Sequence, residues 1–212
     1  MDGIYGWAVF SQEKQYDFNS LYLKLGDEAV LVDPVPFTEE DAAEMEQLGK
    51  PSTIVITNKD HRRAAPEARK RFGARILVHA ADAAELGCEA DGTFAHGDLL
   101  FGSVLVVHVP DAKSPGESAL WLASRRILIV GDALIGRPEG SLSLLPDLKF
   151  KDPAAARRGA ARLAGLDAEI VLVGDGTPIL SNGRAALEAF ARRFGVLPAP
   201  PPGQAGSPPP GC

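Results

Sequence analysis

Three segments of this 212-residue chain place an acid or an imidazole just after a short apolar run. Thr57-Asn58-Lys59-Asp60-His61 follows Thr53 to Ile56, Gly131-Asp132 follows Ile127 to Val130, and Gly174-Asp175 follows Ile170 to Val173. Carboxylates and imidazoles are side chains of proton transfer and of metal ligation. Strand exits that converge on one edge are where α/β folds place their sites. Gly131 and Gly174 lack a Cβ, so other segments can approach the backbone closely just before each carboxylate. An Asp after a strand also serves as a turn former or helix cap, but the repetition in one small chain favours a site. A further exit, Pro110-Asp111-Ala112-Lys113-Ser114-Pro115-Gly116-Glu117, follows Val104 to Val109. Its Ser-Pro-Gly-Glu is turn chemistry, with Lys113 at the tip.

The elements that must position these residues are legible as periodic runs. Trp7 to Phe10, Leu21 to Leu25 and Ala29 to Val32 read as strands, the last two joined as a hairpin across Gly26-Asp27-Glu28. Thr38 can cap a helix running to about Leu48, with Glu39 to Asp41 at its positive end. Thr53 to Ile56 and Arg75 to Val78 read as strands, and Arg63 to Phe72 as a helix with Pro66 in its first turn. Ala80 to Leu86 reads as a short helix. Ser103 to Val109, Ser118 to Leu122, Arg126 to Val130 and Ile170 to Val173 read as strands. Pro153 to Leu163 and Gly183 to Phe194 read as helices. His96, in Ala95 to Leu100, reads as an exposed residue of a hairpin-like turn. His79 reads as a satisfied structural histidine, and His108 as a core or surface position. Strands and helices so mixed indicate an α/β or α+β domain with two sheets.

Composition bounds the function. Hydrophobic residues are 45% and charged residues 24% of the chain, ordinary globular usage. A net charge of -6 disfavours nucleic-acid binding, which needs clustered cations. Two cysteines, Cys88 and Cys212, form neither a disulfide framework nor a Cys-based zinc site and fit a reducing, cytoplasmic setting. No signal peptide or membrane-spanning stretch is evident. Residues 1–195 are expected to form one domain, and 196–212 a disordered Pro/Gly-rich tail. No P-loop and no Gly-x-Ser-x-Gly elbow occurs.

In order, these segments resemble the metallo-β-lactamase superfamily over roughly residues 16 to 192. Asn19 and Asp33 match its early strand pair, and Thr57 to His61 its Thr-His-x-His-x-Asp-His motif in altered form. Pro110 to Ser118 matches Pro-Gly-His-(Ser/Thr)-Pro-Gly, Gly131-Asp132 the Gly-Asp segment, and Gly174-Asp175-Gly176 the final Gly-His-Gly. The resemblance implies a four-layer αββα sandwich.

The departures sort by site. In the family, one metal is held by two His of the first motif and the His of Pro-Gly-His. Here the first two positions hold Ile56 and Asn58, or, in a register anchored on Thr57, Asn58 takes the first and two residues are deleted; Lys113 stands at the latter. The family's second site keeps Asp60, His61 and Asp132, with Asp175 where a His is expected. By the resemblance, those four residues would be the ligands of a single ion. Three oxygen donors and one nitrogen suit Mn²⁺ or Fe²⁺, with Zn²⁺ possible. Lys113 would replace the first metal with an ammonium, balance the surplus negative charge and stabilise an oxyanion, the ion would lower the pKa of a bound water, and Lys113 and Asp132 would be the catalytic residues. Asn58 would line the cleft. That protein would hydrolyse an ester, thioester or amide-like bond of a small molecule. The alternative is a metal-free binding or interaction protein, in which Lys113, with Arg62 or Arg63, pairs directly with the carboxylates. A small-molecule substrate or ligand is the expected partner, with neither nucleic acid nor membrane, and a homo-oligomer is open.

Overall fold

A computed structural model of the chain describes residues 2–196. All but the first residue of the expected tail lies outside the described residues. Two sheets face one another. The first has the order β1-β2-β3-β4-β5-β6, and the second the order β11-β10-β9-β8-β7. In the first, β1 (Ile4–Ser11), β2 (Tyr16–Leu25) and β3 (Glu28–Val32) form an antiparallel meander. β4 (Thr53–Ile56), β5 (Arg75–His79) and β6 (Gly92–Phe94) add in parallel. The second holds β7 (Leu99–Leu100), β8 (Val104–His108), β9 (Ser118–Leu122), β10 (Ile127–Val130) and β11 (Ile170–Val173).

Period-two alternation explains the layers. Val30, Val32 and Val55 of the first sheet meet Leu120, Ile127 and Ile129 of the second in the inter-sheet core. Their neighbours point outward: Ala29, Leu31, Ile54 and Ile56 pack with Ala42, Met45 and Phe72 of α1 (Glu39–Gly49) and α2 (Ala65–Phe72). Leu128, Val130, Val171 and Val173 pack with Ala160, Leu187 and Phe190 of α3 (Pro153–Ala161) and α4 (Gly183–Arg193). These strands are covered on both faces, which is why they read as unbroken apolar runs. The result is the expected αββα sandwich. Thr38 caps α1 in a full capping box with Asp41.

Three local expectations give way. Ala80 to Leu86 shrinks to a single 3₁₀ turn, Ala83–Glu85. Asp82, the residue placed to cap it, spends its carboxylate on Ser114 and Gly116 instead. The helix expected from Arg63 begins at Ala65, because Lys59–Arg62 is a 3₁₀ turn and Arg63 has a positive φ of 36°. The segment around His96 is not a hairpin turn. It carries the chain from β6 in one sheet to β7 in the other, and strands of three and two residues are too short to show alternation.

Candidate active site at the rim of the sandwich

The exits of β3, β4, β10 and β11 and the β8–β9 loop meet at one rim. Main-chain bonds join them: Thr57 O accepts from Ser118 N at 2.9 Å, and Gly174 O accepts from Asn19 N at 2.8 Å. Asn19 Nδ2 donates to Val173 O and Gly176 O, tying the first sheet to the β11 exit. Two glycines are required by contact. A Cβ on Gly131 would lie 2.3 Å from Thr57 Oγ1, and one on Gly174 would lie 2.6 Å from His61 Cε1.

His61 is at the centre, buried. Its Nδ1 meets Asp33 Oδ2 at 2.8 Å, and Asp33 also accepts from Thr57 N and Thr57 Oγ1. Its Nε2 lies 3.4 Å from Asp132 Oδ1 and 3.1 Å from Arg63 Nη2. Burial and the Arg63 charge push the imidazole pKa down. Asp33 and Asp132 push it up further, to about 10. The Nδ1–H of His61 donates to Asp33, and Nε2 faces both the Asp132 carboxylate and the Arg63 guanidinium.

Lys113 and Arg63 complete the site. Lys113 Nζ bridges Asp60 Oδ2 and Asp132 Oδ2, each at 2.8 Å. Burial opposes its charge, but the two carboxylates raise its pKa above the ordinary lysine value. Burial works against the Asp132 carboxylate too, yet His61 and Lys113 hold its pKa well below the usual range. Arg63 Nη2 donates to Asp175 Oδ1 at 2.5 Å, and Nη1 donates to Asn19 O at 3.0 Å and Gly174 O at 3.3 Å. Its guanidinium also lies over the Phe18 ring at 4.8 Å. Burial raises the Asp175 pKa, with His61 and Arg63 working against it. The left-handed backbone at Arg63 costs on the order of 1–3 kcal/mol, which the contacts of its head group offset.

The sequence-derived candidates separate here. His61, Asp132 and Asp175 offer donors that all lie within 4.8 Å of one another. Asp60 does not join them: its side chain is 43% exposed and its contact is with Lys113. Asn58 is not a cleft residue. It is buried beneath the site, where Oδ1 accepts from Asp60 N. Arg63 enters the sequence reading only as one of two arginines for a metal-free centre, and Glu117 and Asp82 have no expected role there. Asp82 is buried and accepts from Ser114 Oγ at 2.5 Å, Gly116 N at 2.8 Å and Lys59 N at 2.9 Å. It thus aligns the Lys113 loop with the Asp60 turn. The sequence carried one signal for Glu117: an acid bordering Ser118 to Leu122, a wholly apolar run after its first residue.

Glu117 is fully buried, and burial followed by the nearby Asp132 charge raises its pKa well above the ordinary value. Its Oε1 accepts from Ala133 N at 3.0 Å, while Oε2 has no partner among the described residues. A group whose folded pKa is raised contributes stability at low pH and loses it as pH rises. Glu117→Gln keeps the acceptor without the ionisation. It is expected to raise unfolding free energy at pH 7.5 and to change it little at pH 4. Urea denaturation at the two pH values checks this; equal effects at both would remove the buried acid from the account.

A family model described as the metallo-beta-lactamase superfamily matches residues 1–194. The chain belongs to that superfamily. Family membership makes a hydrolase-like protein the general expectation. Its fold is similar to that of a metallo-beta-lactamase family protein from Thermus thermophilus, at 19% identity, 92% coverage of this chain, 80% of that one and a TM-score of 0.66. It is likewise similar to a metallo-beta-lactamase from Pontibacter korlensis, at 16% identity, 90% and 93% coverage and a TM-score of 0.69. TTHA1623, solved in a di-iron-bound form, matches at 24% identity, 89% and 98% coverage and a TM-score of 0.65. No curated protein matches. Among the described residues, no helix is long and apolar enough to cross a membrane.

The donor set fits the superfamily's metal poorly as arranged. Arg63 Nη2 stands against both His61 Nε2 and Asp175 Oδ1, two of the three converging donors. Lys113 Nζ stands between Asp60 and Asp132. Two side-chain cations hold the carboxylates that a metal centre would use.

Proposed function

We propose that this chain is a metal-independent, non-hydrolytic member of the superfamily that binds a small polar ligand at the rim. The observation that carries it is the pairing of Lys113 with Asp60 and Asp132, and of Arg63 with Asp175. Hydrolysis needs a base or nucleophile whose pKa lies near the working pH. Here Lys113 is held protonated, Asp132 is held ionised far below neutrality, and His61 is pinned between two carboxylates. Binding remains open to the site. A groove of about 480 Å³ runs beside Lys113, lined by Asp111, Ala112, Pro115, Lys151 and Asp152. That volume suits a small molecule, and the mixed charge of the walls suits a polar one. A larger cavity of about 690 Å³ opens beyond Arg63, but its Arg71 is already paired with Glu39 and Glu46.

A second reading has a specific observation in its favour. His61, Asp132 and Asp175 are close enough together to hold one divalent ion if Arg63 moves aside. One experiment separates the two. The full chain, without a His tag, is exposed to excess Mn²⁺, Fe²⁺ or Zn²⁺, desalted and analysed by mass spectrometry for metal, then tested on ester, thioester and lactam substrates. The expected result is no bound metal and no turnover. About one ion per chain, lost in Asp132→Ala, would replace this reading with the mononuclear hydrolase.

A further inference from the structure

Three of the chain's four histidines lie close together beside the β8–β9 loop. His79 ends β5, His96 lies in the crossover between the sheets, and His108 ends β8. The His79 and His108 rings stack with centroids 4.9 Å apart and planes 20° apart, and Phe94 meets His79 edge-on. Their hydrogen bonds specify one protonation state. His79 Nδ1 accepts from Ala81 N and His96 Nδ1 accepts from His108 N, both at 3.2 Å. His108 Nε2 donates to Pro115 O at 2.9 Å. Both accepting nitrogens need a free lone pair, so both rings are neutral in this arrangement.

We propose that His79 and His96 form a protonation latch: neutral, their accepting Nδ1 atoms brace the two attachments of the Pro110–Glu117 loop that keep Lys113 on its carboxylates; protonated, they release them. The clamp has two arms. His96 Nδ1 fixes the main chain of His108, whose Nε2–H holds Pro115 in either protonation state. His79 holds the turn whose Asp82 N donates to His79 O at 2.9 Å, and Asp82 in turn grips Ser114 and Gly116, on either side of Pro115. Protonating His79 or His96 sets an N–H against a backbone N–H. Protonating the stacked pair sets two positive charges face to face.

The groups around the rings bear on the sign. Burial and then His108 lower the His79 pKa, Asp82 and Asp98 oppose this, and His96 adds to it. The carboxylate of Asp82 is committed to the loop and to Lys59 N, and Asp98 accepts from Ala95 N. A histidine whose folded pKa is lowered stabilises the fold above its ordinary value, near 6.5, and loses that contribution as pH falls through it. The latch therefore opens on acidification. None of this requires a metal or a ligand at the rim, so it stands apart from the metal-independent reading above.

The test is hydrogen exchange on the full chain at pH 7.5 and 5.5, corrected for intrinsic exchange, reading the amides of 111–117 against those of β10. Protection of the loop is expected to fall, by up to about tenfold for one proton taken up between the ordinary histidine value and pH 5.5, while β10 is unchanged. A double variant, His79→Asn with His96→Asn, keeps an acceptor near each Nδ1 position but cannot be protonated. Its loop is expected to change by less than about twofold over the same range. An unchanged wild-type loop, or a wild-type response in the double variant, overturns the proposal. Should that variant not fold, ring carbon NMR of the wild type decides: a loop midpoint matching a histidine midpoint supports the latch, and one below pH 5 overturns it.

Discussion

On the metal-independent reading, Arg63→Ala is expected to raise divalent-ion binding from none to about one per chain. Arg63 is the cation lodged against His61 Nε2 and Asp175 Oδ1. Without it, His61, Asp132 and Asp175 keep donors within 4.8 Å of one another and gain an uncompensated negative charge. A desolvated anionic donor set recruits a cation when geometry permits. In the absence of metal, losing one partner of a buried ion pair is expected to cost about 3 kcal/mol. Relief of the positive φ returns none of this, because alanine is no better suited to that backbone than arginine. Titration calorimetry with Mn²⁺ and Zn²⁺ measures the first effect. Thermal unfolding with and without metal measures the second, since an ion that binds only the folded chain raises its midpoint. Equal metal binding by wild type and variant would show that Arg63 does not hold the position.

Lys113→Met is expected to lower unfolding free energy by about 3 kcal/mol at pH 7.5, because it strands a buried carboxylate. Nearly all of that belongs to Asp132, since Asp60 is largely solvated and surface pairs contribute little. The pH dependence identifies the partner. Asp132 has a depressed folded pKa, so its contribution is present above its ordinary value near 3.9 and is lost as pH falls toward the folded one. Lys113 has a raised folded pKa, so its contribution persists to high pH. The deficit of the variant should therefore be full from about pH 5 to pH 9 and shrink below pH 4. Urea unfolding across that range checks it. A deficit that does not depend on pH would mean that methionine merely packs badly, and that the Lys113–Asp132 pair does not hold the loop.

These expectations share one physical basis. The superfamily's fold gathers carboxylates and imidazoles at a rim from which water is largely excluded, and such a cluster folds only with positive charge in place. In this structure Lys113 and Arg63 lie against that cluster. Lys113 comes from the loop that should carry a histidine, and Arg63 closely follows the motif that should supply three. Of the groups in contact with these cations or with each other, His61, Lys113 and Asp132 are shifted away from neutrality, while burial shifts Asp175 the other way.

The sequence by itself indicated strands and helices mixed in two sheets and singled out the strand exits that meet at the rim, while the four layers were implied by the resemblance. Apolar runs such as Ile127 to Val130, the capped start at Thr38 and the Gly-Asp exits are local signals, set by the period of a strand, the orphan donors of a helix and the room left by a missing Cβ. The ordered series of motifs also disclosed that the first-site histidines are replaced, and that Lys113 stands among the replacements. Only the tertiary structure decided which cation meets which carboxylate. Arg63 and Asp175 are 112 residues apart, Ser114 and Asp82 are 32 apart, and Asn19 meets the β11 exit 154 residues away. No periodicity spans such distances, because ion pairs and buried hydrogen bonds are chosen by the packing of the two sheets and not by neighbours along the chain. For the same reason Glu117 reads as a turn residue in sequence and is a buried acid in the fold, and Asp82 reads as part of a helix and is the anchor of the Lys113 loop.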